Sequence, residues 1–326
     1  MDRISLEGFY KAFEDRFRGS RDLIKSRLKT YLQFTRAIEA RVSLDLGCGR
    51  GEWLELMTEE GLDARGVDLD DGMLAVSTRL GLQAIKQDAL TSISDAKDAS
   101  LDVVSAFHLV EHLPFEAVLQ LIGEAQRALR PGGLLILETP NPDNIRVSSL
   151  SFFLDATHNR PIPSTLLQFA AEFSGFADCA IIGLHEDDRI EKTSIRHVLQ
   201  GPSQDYALVA QKAGGISISS LLSGPTGLSY ELAVEQFDRS ISQRLDEKAS
   251  RLEMDDLAKG LSRLSEGVNH IWAERLPAIA KDHAALAEDH AALTSRSEQA
   301  DARITTVEAS ISGGILGALA RLGRHR

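Results

Sequence analysis

The chain has 326 residues, of which 43% are hydrophobic and 26% charged, and its formal net charge is −12. This balance is typical of a globular protein with an ordinary buried core, and the length exceeds that of one average domain. The acidic charge argues against a general nucleic-acid binder, because neutralising phosphates requires clustered lysine and arginine. The two cysteines, Cys48 and Cys179, argue against a disulfide framework and indicate a reducing compartment. Since no apolar leader or membrane-spanning run is evident, we expect a cytoplasmic protein.

Residues 1–40 are predicted to form an N-terminal helical lid, because apolar residues recur there at helical spacing. Ser20 is the expected N-cap of a helix that starts at Arg21. Arg18 and Arg21 flank a Gly-Ser break, and we assign them to the binding of a carboxylate or an acceptor phosphate. The alternative is that both arginines lie on a solvated helix face.

Residues 41–213 alternate between strand and helix patterns, which predicts an α/β domain with a doubly wound, mostly parallel sheet. A loop-rich insert follows Pro140, and a helix is predicted over 166–173. The predicted strands are 42–46, 64–69, 83–87, 101–107, 134–138, 180–184 and 206–211.

A glycine turn follows the first predicted strand, with the spacing Gly47, Gly49, Gly51. This is G-x-G-x-G and differs from the G-x-G-x-x-G of dinucleotide-binding proteins. The glycines permit positive φ and let a ligand lie against bare backbone. Asp45, directly before the turn, would repel a pyrophosphate but suits a cation or hydroxyls. The predicted ligand is therefore S-adenosylmethionine, which carries a sulfonium, an ammonium and a ribose but no phosphate.

Two further carboxylates end predicted strands. Asp68 follows the second strand and is expected to accept the ribose hydroxyls, although an NAD enzyme would also have an acid there. Asp88 follows the third strand and is expected to accept the adenine amino group; the alternative is that it only caps a short turn. The full cofactor set that we predict is Asp45, Gly47, Cys48, Gly49, Gly51, Asp68, Leu69, Asp88, Ala89, Phe107 and Arg21.

Five motifs in order across about 42–212 resemble the class I S-adenosylmethionine-dependent methyltransferases. They are D-L-G-C-G-R-G from Asp45, G-V-D from Gly66, Q-D-A from Gln87, F-H-L-V-E-H-L from Phe107 and L-R-P-G-G from Leu129. The resemblance implies that the last strand of the sheet is antiparallel to its neighbours.

Narrower matches resemble a bacterial branch found beside or fused to glycosyltransferases in surface-polysaccharide (O-antigen type) clusters. They are Y-K-A-F-E-D-R-F-R-G-S-R from Tyr10, E-T-P-N-P-D-N from Glu138 and F-F-L-D-A-T-H-N-R-P-I-P from Phe152, with Ala156 where the branch commonly has proline. This resemblance implies O-methylation of a sugar hydroxyl or phosphate on a glycan or its lipid-linked precursor, with a glycosyltransferase as a candidate partner. The alternatives are a small-molecule acceptor such as a quinone, or a coiled-coil scaffold of a glycan-assembly complex with little turnover.

A sugar hydroxyl benefits from a general base, and His158, in the loop after the fifth strand, is the predicted one. Asp155 is expected to orient it; the alternative is that His158 only hydrogen-bonds the loop. His108, Glu111 and His112 form H-x-x-E-H after the fourth strand. Related methyltransferases bind a divalent metal there with an acid-rich version, and His158 would complete the ligand set. We rank this second and predict no metal.

The rest of the chain is predicted as a linker over 214–229, a helical coiled coil over 230–312 and a basic amphipathic tail over 313–326. Apolar residues alternate by four and three, and D-H-A-A-L repeats at seven residues, which predicts a homo-oligomer. His283 and His290 fall on the seam, where we expect them to set register rather than bind metal. Gly313-Gly314 is expected to interrupt the helix, and the tail is expected to contact the cytoplasmic face of the inner membrane.

Overall fold

The computed structural model describes residues 19–187, 189–222, 226–249 and 254–322. The chain divides into two compact units between Gln243 and Arg244. The first unit contains the predicted α/β domain, and the described residues of the second are helical.

The first unit is built on one seven-stranded sheet with the order β3-β2-β1-β4-β5-β7-β6. The first five strands are parallel, whereas β7 runs antiparallel to both β5 and β6, as predicted from the resemblance. The strands are β1 Val42–Leu46, β2 Asp63–Asp68, β3 Gln83–Lys86, β4 Leu101–Phe107, β5 Leu129–Pro140, β6 Phe176–Leu184 and β7 Asp205–Lys212.

Helices cover both faces of this sheet. In chain order they are α1 Arg21–Leu28, α2 Leu32–Ala37, α3 Glu52–Glu59, α4 Asp71–Arg79, α5 Ala89–Asp95, α6 Phe115–Ala128, α7 Ser164–Phe173 and α8 Ile195–Gln200. The next helix in the chain is α9 Tyr230–Ala249. Ser20 caps α1 as predicted, since its side chain accepts from the backbone N–H of Leu23 at 3.3 Å. The insert after β5 contains a π-helical turn, Val147–Ser151, and a 3₁₀ turn, Phe152–Leu154.

The described N-terminal helices pack into the core of the first unit. Tyr31 and Phe34 are fully buried and belong to the apolar cluster that includes Trp53 and Leu54 of α3. Burying a large side chain contributes about 1.5–3 kcal/mol, so removing these helices would expose one face of the sheet. Residues 1–18 lie outside the described residues.

The predicted linker over 214–229 also packs against the first unit in its described part. Ile218 is fully buried, and the backbone N–H of Gly183 in β6 donates to the carbonyl of Thr226 at 2.6 Å. Gly227 lies so close to Gly183 that an added Cβ would come within 2.5 Å of its Cα. Gly183 and Gly227 therefore allow close backbone contact, and the assignment of 214–229 as a linker stays a prediction.

The second unit contains α10 Met254–His270, a π-helical turn Ile271–Arg275 and α11 Leu276–Leu322. The last helix runs through Gly313 and Gly314, so the expected interruption there was wrong. Arg324 and Arg326 of the predicted tail lie outside the described residues. The helices described by the structure include none with the length and apolar character needed to span a membrane.

Candidate active site

A cavity of about 710 Å³ opens at the carboxyl ends of β1, β2, β4 and β5. Ligands of doubly wound sheets bind at this edge, because the strand order changes direction there. Its wall contains these predicted site residues: Asp45, Gly47, Cys48, Asp68, Leu69, Phe107, Asp155 and His158. Its wall also contains residues that were not predicted: Arg27, Trp53, Glu138, His185 and Asp205.

The glycine turn joins β1 to α3 and forms one side of the cavity. Gly47, Gly49 and Gly51 have φ values of 70°, 53° and 77°, which favour glycine. A Cβ on Gly51 would also come within 2.7 Å of side-chain atoms of Ser77 and Leu82. The turn therefore requires glycine for its conformation and for its packing.

Asp68 is held rigidly at the end of β2. Its Oδ2 accepts from the backbone N–H of Gly49, and its Oδ1 accepts from that of Asp70, both at 2.8 Å. Each carboxylate oxygen can accept more than one hydrogen bond, so both can also receive a hydroxyl from the cavity side. Asp45 is buried, and its Oδ1 accepts from Ser105 Oγ at 2.7 Å.

An aromatic cluster forms the apolar part of the wall. Trp53 packs edge-on against Tyr31 and Phe107, with ring centroids 6.1 and 5.3 Å apart. The indole N–H of Trp53 is buried and has no hydrogen-bond partner within the described part of the chain. Carboxylates, bare glycine backbone and apolar surface together fit the charges and hydroxyls of S-adenosylmethionine.

Arg21 lies behind the glycine turn, and the cavity wall does not include it. Its guanidinium donates to the carbonyl of Arg50 and to Glu55 Oε2, the latter at 2.5 Å. The hydrogen bond from Arg21 lowers the pKa of Glu55. Arg21 therefore fastens α1 to α3, and its role as a ligand clamp stays a prediction. Arg18 lies outside the described residues. Arg27, on the same helix, is the arginine that lines the cavity.

Asp88 is the N-cap of α5 and is exposed. Its Oδ1 accepts from the backbone N–H of Thr91 at 2.9 Å and from the Thr91 hydroxyl at 3.2 Å. Ala89, the first residue of α5, packs partly buried against the core. The capping alternative is therefore what the structure describes, and the adenine contact remains a prediction.

We expect Asp88→Ala to lower the free energy of unfolding by about 1 kcal/mol, because a helix cap is lost. Asp88→Asn retains a capping oxygen but removes the charge, so it should restore most of this stability. Thermal denaturation and calorimetric titration of S-adenosylmethionine measure the two effects separately. If neither variant changes cofactor affinity, Asp88 acts only as a cap.

His158 lines the cavity from the insert that follows β5. Its Nδ1 is 2.6 Å from the carbonyl oxygen of Phe152. Since a carbonyl can only accept, Nδ1 carries the proton, and in the neutral ring Nε2 has a free lone pair. The ring packs at an angle against Phe152 and edge-on against His112, with centroid distances of 4.5 and 4.7 Å. Backbone and packing thus fix the tautomer and orientation that a general base requires.

Asp155 lies within ion-pair distance of His158, and its orienting role stays a prediction. Its Oδ2 is 3.8 Å from His158 Nε2, beyond hydrogen-bond distance. Its Oδ1 instead accepts from the backbone N–H and hydroxyl of Thr157, at 2.8 and 2.6 Å. Asp155 therefore shapes the loop and supplies negative charge near His158.

His108 lies among three carboxylates. Its Nδ1 is 3.2 Å from Glu111, and its Nε2 is 3.4 Å from Glu138 and 3.9 Å from Asp205. Burial lowers the pKa of His108, but hydrogen bonds to Glu111 and Glu138 and the charge of Asp205 raise it well above its ordinary value overall. Tyr31 donates its hydroxyl to Glu138, and His185 Nδ1 is 2.6 Å from Asp205. The carboxylates are thus partly neutralised by a protonated His108.

We expect His108→Gln to lower the free energy of unfolding near pH 6.5. Hydrogen bonds to charged groups contribute about 1.5–3 kcal/mol, and because the His108 side chain is 43% accessible, solvent screening should reduce this to about 1 kcal/mol. The folded pKa is raised, so this stabilisation is complete below the unfolded value of about 6.5 and is lost as the pH rises through the folded value. Denaturation of both proteins across this range should show the difference narrowing at high pH; a constant difference would indicate a packing effect instead.

The H-x-x-E-H motif contributes to two separate groups of side chains that are close enough to hold a metal ion. One comprises Glu111, His112 and His158, and the other comprises His108, Glu138 and Asp205. Within each group the ligand atoms lie within 4.8 Å of one another. His108 and His112 thus fall in different groups, whereas the metal hypothesis joined them in one ligand set.

The fold and this site define a class I S-adenosylmethionine-dependent methyltransferase. The family model described as "Methyltransferase domain" matches residues 15–180. A solved S-adenosylmethionine-dependent methyltransferase from Archaeoglobus fulgidus is 32% identical, with 63% of this chain and 100% of that chain covered and a TM-score of 0.55. The chain therefore belongs to the methyltransferase domain family and is an enzyme that uses S-adenosyl-L-methionine.

Curated relatives of the chain are also methyltransferases by name. A probable S-adenosylmethionine-dependent methyltransferase of Mycobacterium tuberculosis is 29% identical over 214 residues, which are 64% of this chain and 75% of the relative. The ubiquinone biosynthesis O-methyltransferase of Idiomarina loihiensis is 34% identical over 103 residues, 30% of this chain and 42% of that protein.

When bound, S-adenosylmethionine supplies an electrophilic methyl group, which an acceptor attacks in line while the sulfide leaves. Asp68 and Asp45 would hold its ribose and positive charge, and the bare glycine turn would lie against it. Such a displacement depends mainly on alignment, so the rigid cradle is itself a catalytic contribution.

Proposed function

We propose that this methyltransferase O-methylates a sugar hydroxyl of a surface polysaccharide or of its lipid-linked precursor. The observation that carries the proposal is the orientation of His158, with Nδ1 bound to the Phe152 carbonyl and a lone pair on Nε2. In this role Nε2 accepts the hydroxyl proton as the oxygen is methylated. The proton stays on the imidazole until it passes to solvent.

The polar character of the same wall supports a hydroxyl-rich acceptor. Side chains of Glu138, Asp205 and His185 line the cavity together with His108 and His112. Carboxylates and imidazoles provide acceptors and donors for several hydroxyl groups. Three carboxylates around His108 would repel a phosphate, so the charge of the site favours a sugar hydroxyl over a glycan phosphate as the methylated group.

The second candidate is O-methylation of a small aromatic acceptor such as a quinone precursor. The likeness to a ubiquinone biosynthesis O-methyltransferase favours it, although that likeness spans under half of the relative. Trp53 and Phe107 would provide the apolar contacts that an aromatic ring needs. The polar wall around His108 is the reason for ranking this acceptor second.

The deciding experiment gives the purified full chain methyl-labelled S-adenosylmethionine and two acceptor fractions from a strain that lacks the gene. One fraction holds lipid-linked glycans, and the other holds quinone precursors. We expect label in a sugar of the first fraction, with a mass increase of one methyl group. Label in the second fraction alone would establish the small-molecule alternative.

A lipid-linked acceptor would place the enzyme at the cytoplasmic face of the inner membrane, beside a glycosyltransferase. The basic residues after Gly314 would supply peripheral contact with anionic lipid. Flotation with anionic vesicles of the full chain, compared with a form that ends at Ser312, tests this part separately. Equal flotation of both forms would exclude the tail as the contact.

A further inference from the structure

The second unit exposes a continuous apolar seam along α10, the π turn and α11. Between 45% and 70% of each large side chain in this seam is accessible to solvent. Such exposure along one helix face marks an interaction surface, since solvated helices rarely present it. The described seam consists of Leu261, Leu264, Val268, Ile271, Leu276, Ile279, Leu286 and Leu293, with His283 and His290 between the last four.

The spacing of this seam contains one extra residue. Its steps alternate by four and three up to Ile271, whereas the step from Ile271 to Leu276 is five. The structure has its π-helical turn over this step, Ile271–Arg275. A π turn accommodates one residue more than an α-helical turn, so it absorbs the extra residue and returns Leu276 to the seam.

Pro277 accounts for the position of this turn. Proline lacks the N–H of a regular helix, and its ring clashes with the carbonyl four residues earlier, here that of Ala273. Ala273 lies within the π turn, where the hydrogen-bond pattern is already shifted. The proline and the extra residue are therefore accommodated together, and both halves of the seam share one heptad register.

The charges that flank the seam select the partner. With Leu286 and Leu293 at position d, Arg296 occupies g and Asp301 occupies the following e. In a parallel, in-register pair each g residue faces the next e residue of the other helix, so Arg296 and Asp301 join opposite charges. Arg and acid at these positions thus match a second copy of the same chain.

We propose that the seam pairs in parallel and in register with that of a second copy of this chain, with the π turn at Ile271–Arg275 keeping one register across it. In such a parallel pair the N-terminal ends of the two seams lie at the same end of the coiled coil. The proposal is independent of the methyl acceptor, because it depends only on the second unit.

Sedimentation of the full chain tests the association. We expect at least twice the chain mass of 35.6 kDa. Leu286→Asp with Leu293→Asp should reduce it to the monomer, whereas Ser295→Asp, on the outward f position, should leave it unchanged. A wild-type chain that stays monomeric at micromolar concentration would overturn the proposal.

Orientation and register are tested by cysteine cross-linking and by deletion. Leu293→Cys should form a disulfide between chains and Ser295→Cys should not; equal cross-linking would exclude the parallel seam.

In a Pro277→Ala background, deletion of Ala273 should retain the oligomer because it leaves an unbroken heptad. Deletion of Ala285 in the same background should lose it, because the seam is displaced within a heptad. If both deletion variants lose the oligomer, or if both retain it, the π turn does not keep the register of the seam.

Discussion

His158→Ala is expected to reduce turnover by about 10²–10⁴-fold, the usual contribution of a positioned general base. The Phe152 carbonyl lies 2.6 Å from Nδ1 and fixes the proton there, so only Nε2 of this side chain can take a proton from the substrate hydroxyl. The substitution by alanine removes this nitrogen. Calorimetry should find the affinity for S-adenosylmethionine almost unchanged, because Asp68 and the glycine turn belong to the other side of the cavity. Single-turnover rates with a saturating acceptor measure the chemical step directly.

The control for this experiment is His270→Ala, an exposed histidine of the second unit. It should keep the wild-type rate. If His158→Ala also does so, the base lies elsewhere. Loss of activity with a chelator, restored by a divalent ion, would instead assign Glu111, His112 and His158 to a metal site.

The sheet was predictable because its signals are local. β1 and β4 are mostly apolar runs that end at a turn, and both begin and end where predicted. β5 was predicted from Leu134 but begins at Leu129. Proline and two glycines suggested a turn, yet Lys212 of β7 donates to the Leu129 carbonyl at 2.8 Å and Gln211 to that of Gly132 at 3.1 Å. These contacts from a distant strand tie the segment to the sheet, although Gly132 has a φ of 78° and the pairing with β4 passes directly from Leu129 to Leu134.

Arg27, the arginine that lines the cavity, was not predicted, although its spacing in the sequence offered a signal. Ile24, Arg27, Leu28 and Tyr31 follow the spacing i, i+3, i+4, i+7, so Arg27 lies on the inward stripe of the helix. A charged residue on that stripe must reach a cavity or a buried partner. Arg21 was predicted instead because it lies in a motif, and its contacts with α3 are structural.

The acidic side of the cavity could not be read from the sequence, because it depends on strand pairing. Asp205 begins β7 and pairs with Pro140 at the end of β5, which brings it near Glu138 and His108. These residues are separated by up to 97 positions, from His108 to Asp205. No local spacing connects them, and only the antiparallel docking of β7 brings their charges together.

Asp68→Ala is expected to weaken S-adenosylmethionine binding by about 1.5–3 kcal/mol, which is about 10–150-fold in the dissociation constant. Each oxygen of this carboxylate already accepts a backbone N–H at 2.8 Å, from Gly49 and Asp70. The orientation is therefore fixed before the ligand arrives, and ribose hydroxyls meet an acceptor that needs no rearrangement. Calorimetric titration of the full chain gives the change directly, and NAD should not bind to either protein.

Two companion variants separate the ligand contact from the turn. Asp71→Ala, on an exposed carboxylate that pairs with Lys86, should bind like the wild type. Asp68→Asn keeps one acceptor oxygen for the backbone but loses the charge, so an intermediate affinity is expected if charge and hydrogen bonds both contribute. If Asp68→Ala loses affinity and thermal stability while Asp68→Asn loses neither, the carboxylate acts by holding the Gly49 turn. If NAD binds and S-adenosylmethionine does not, the assignment of the cradle itself is wrong.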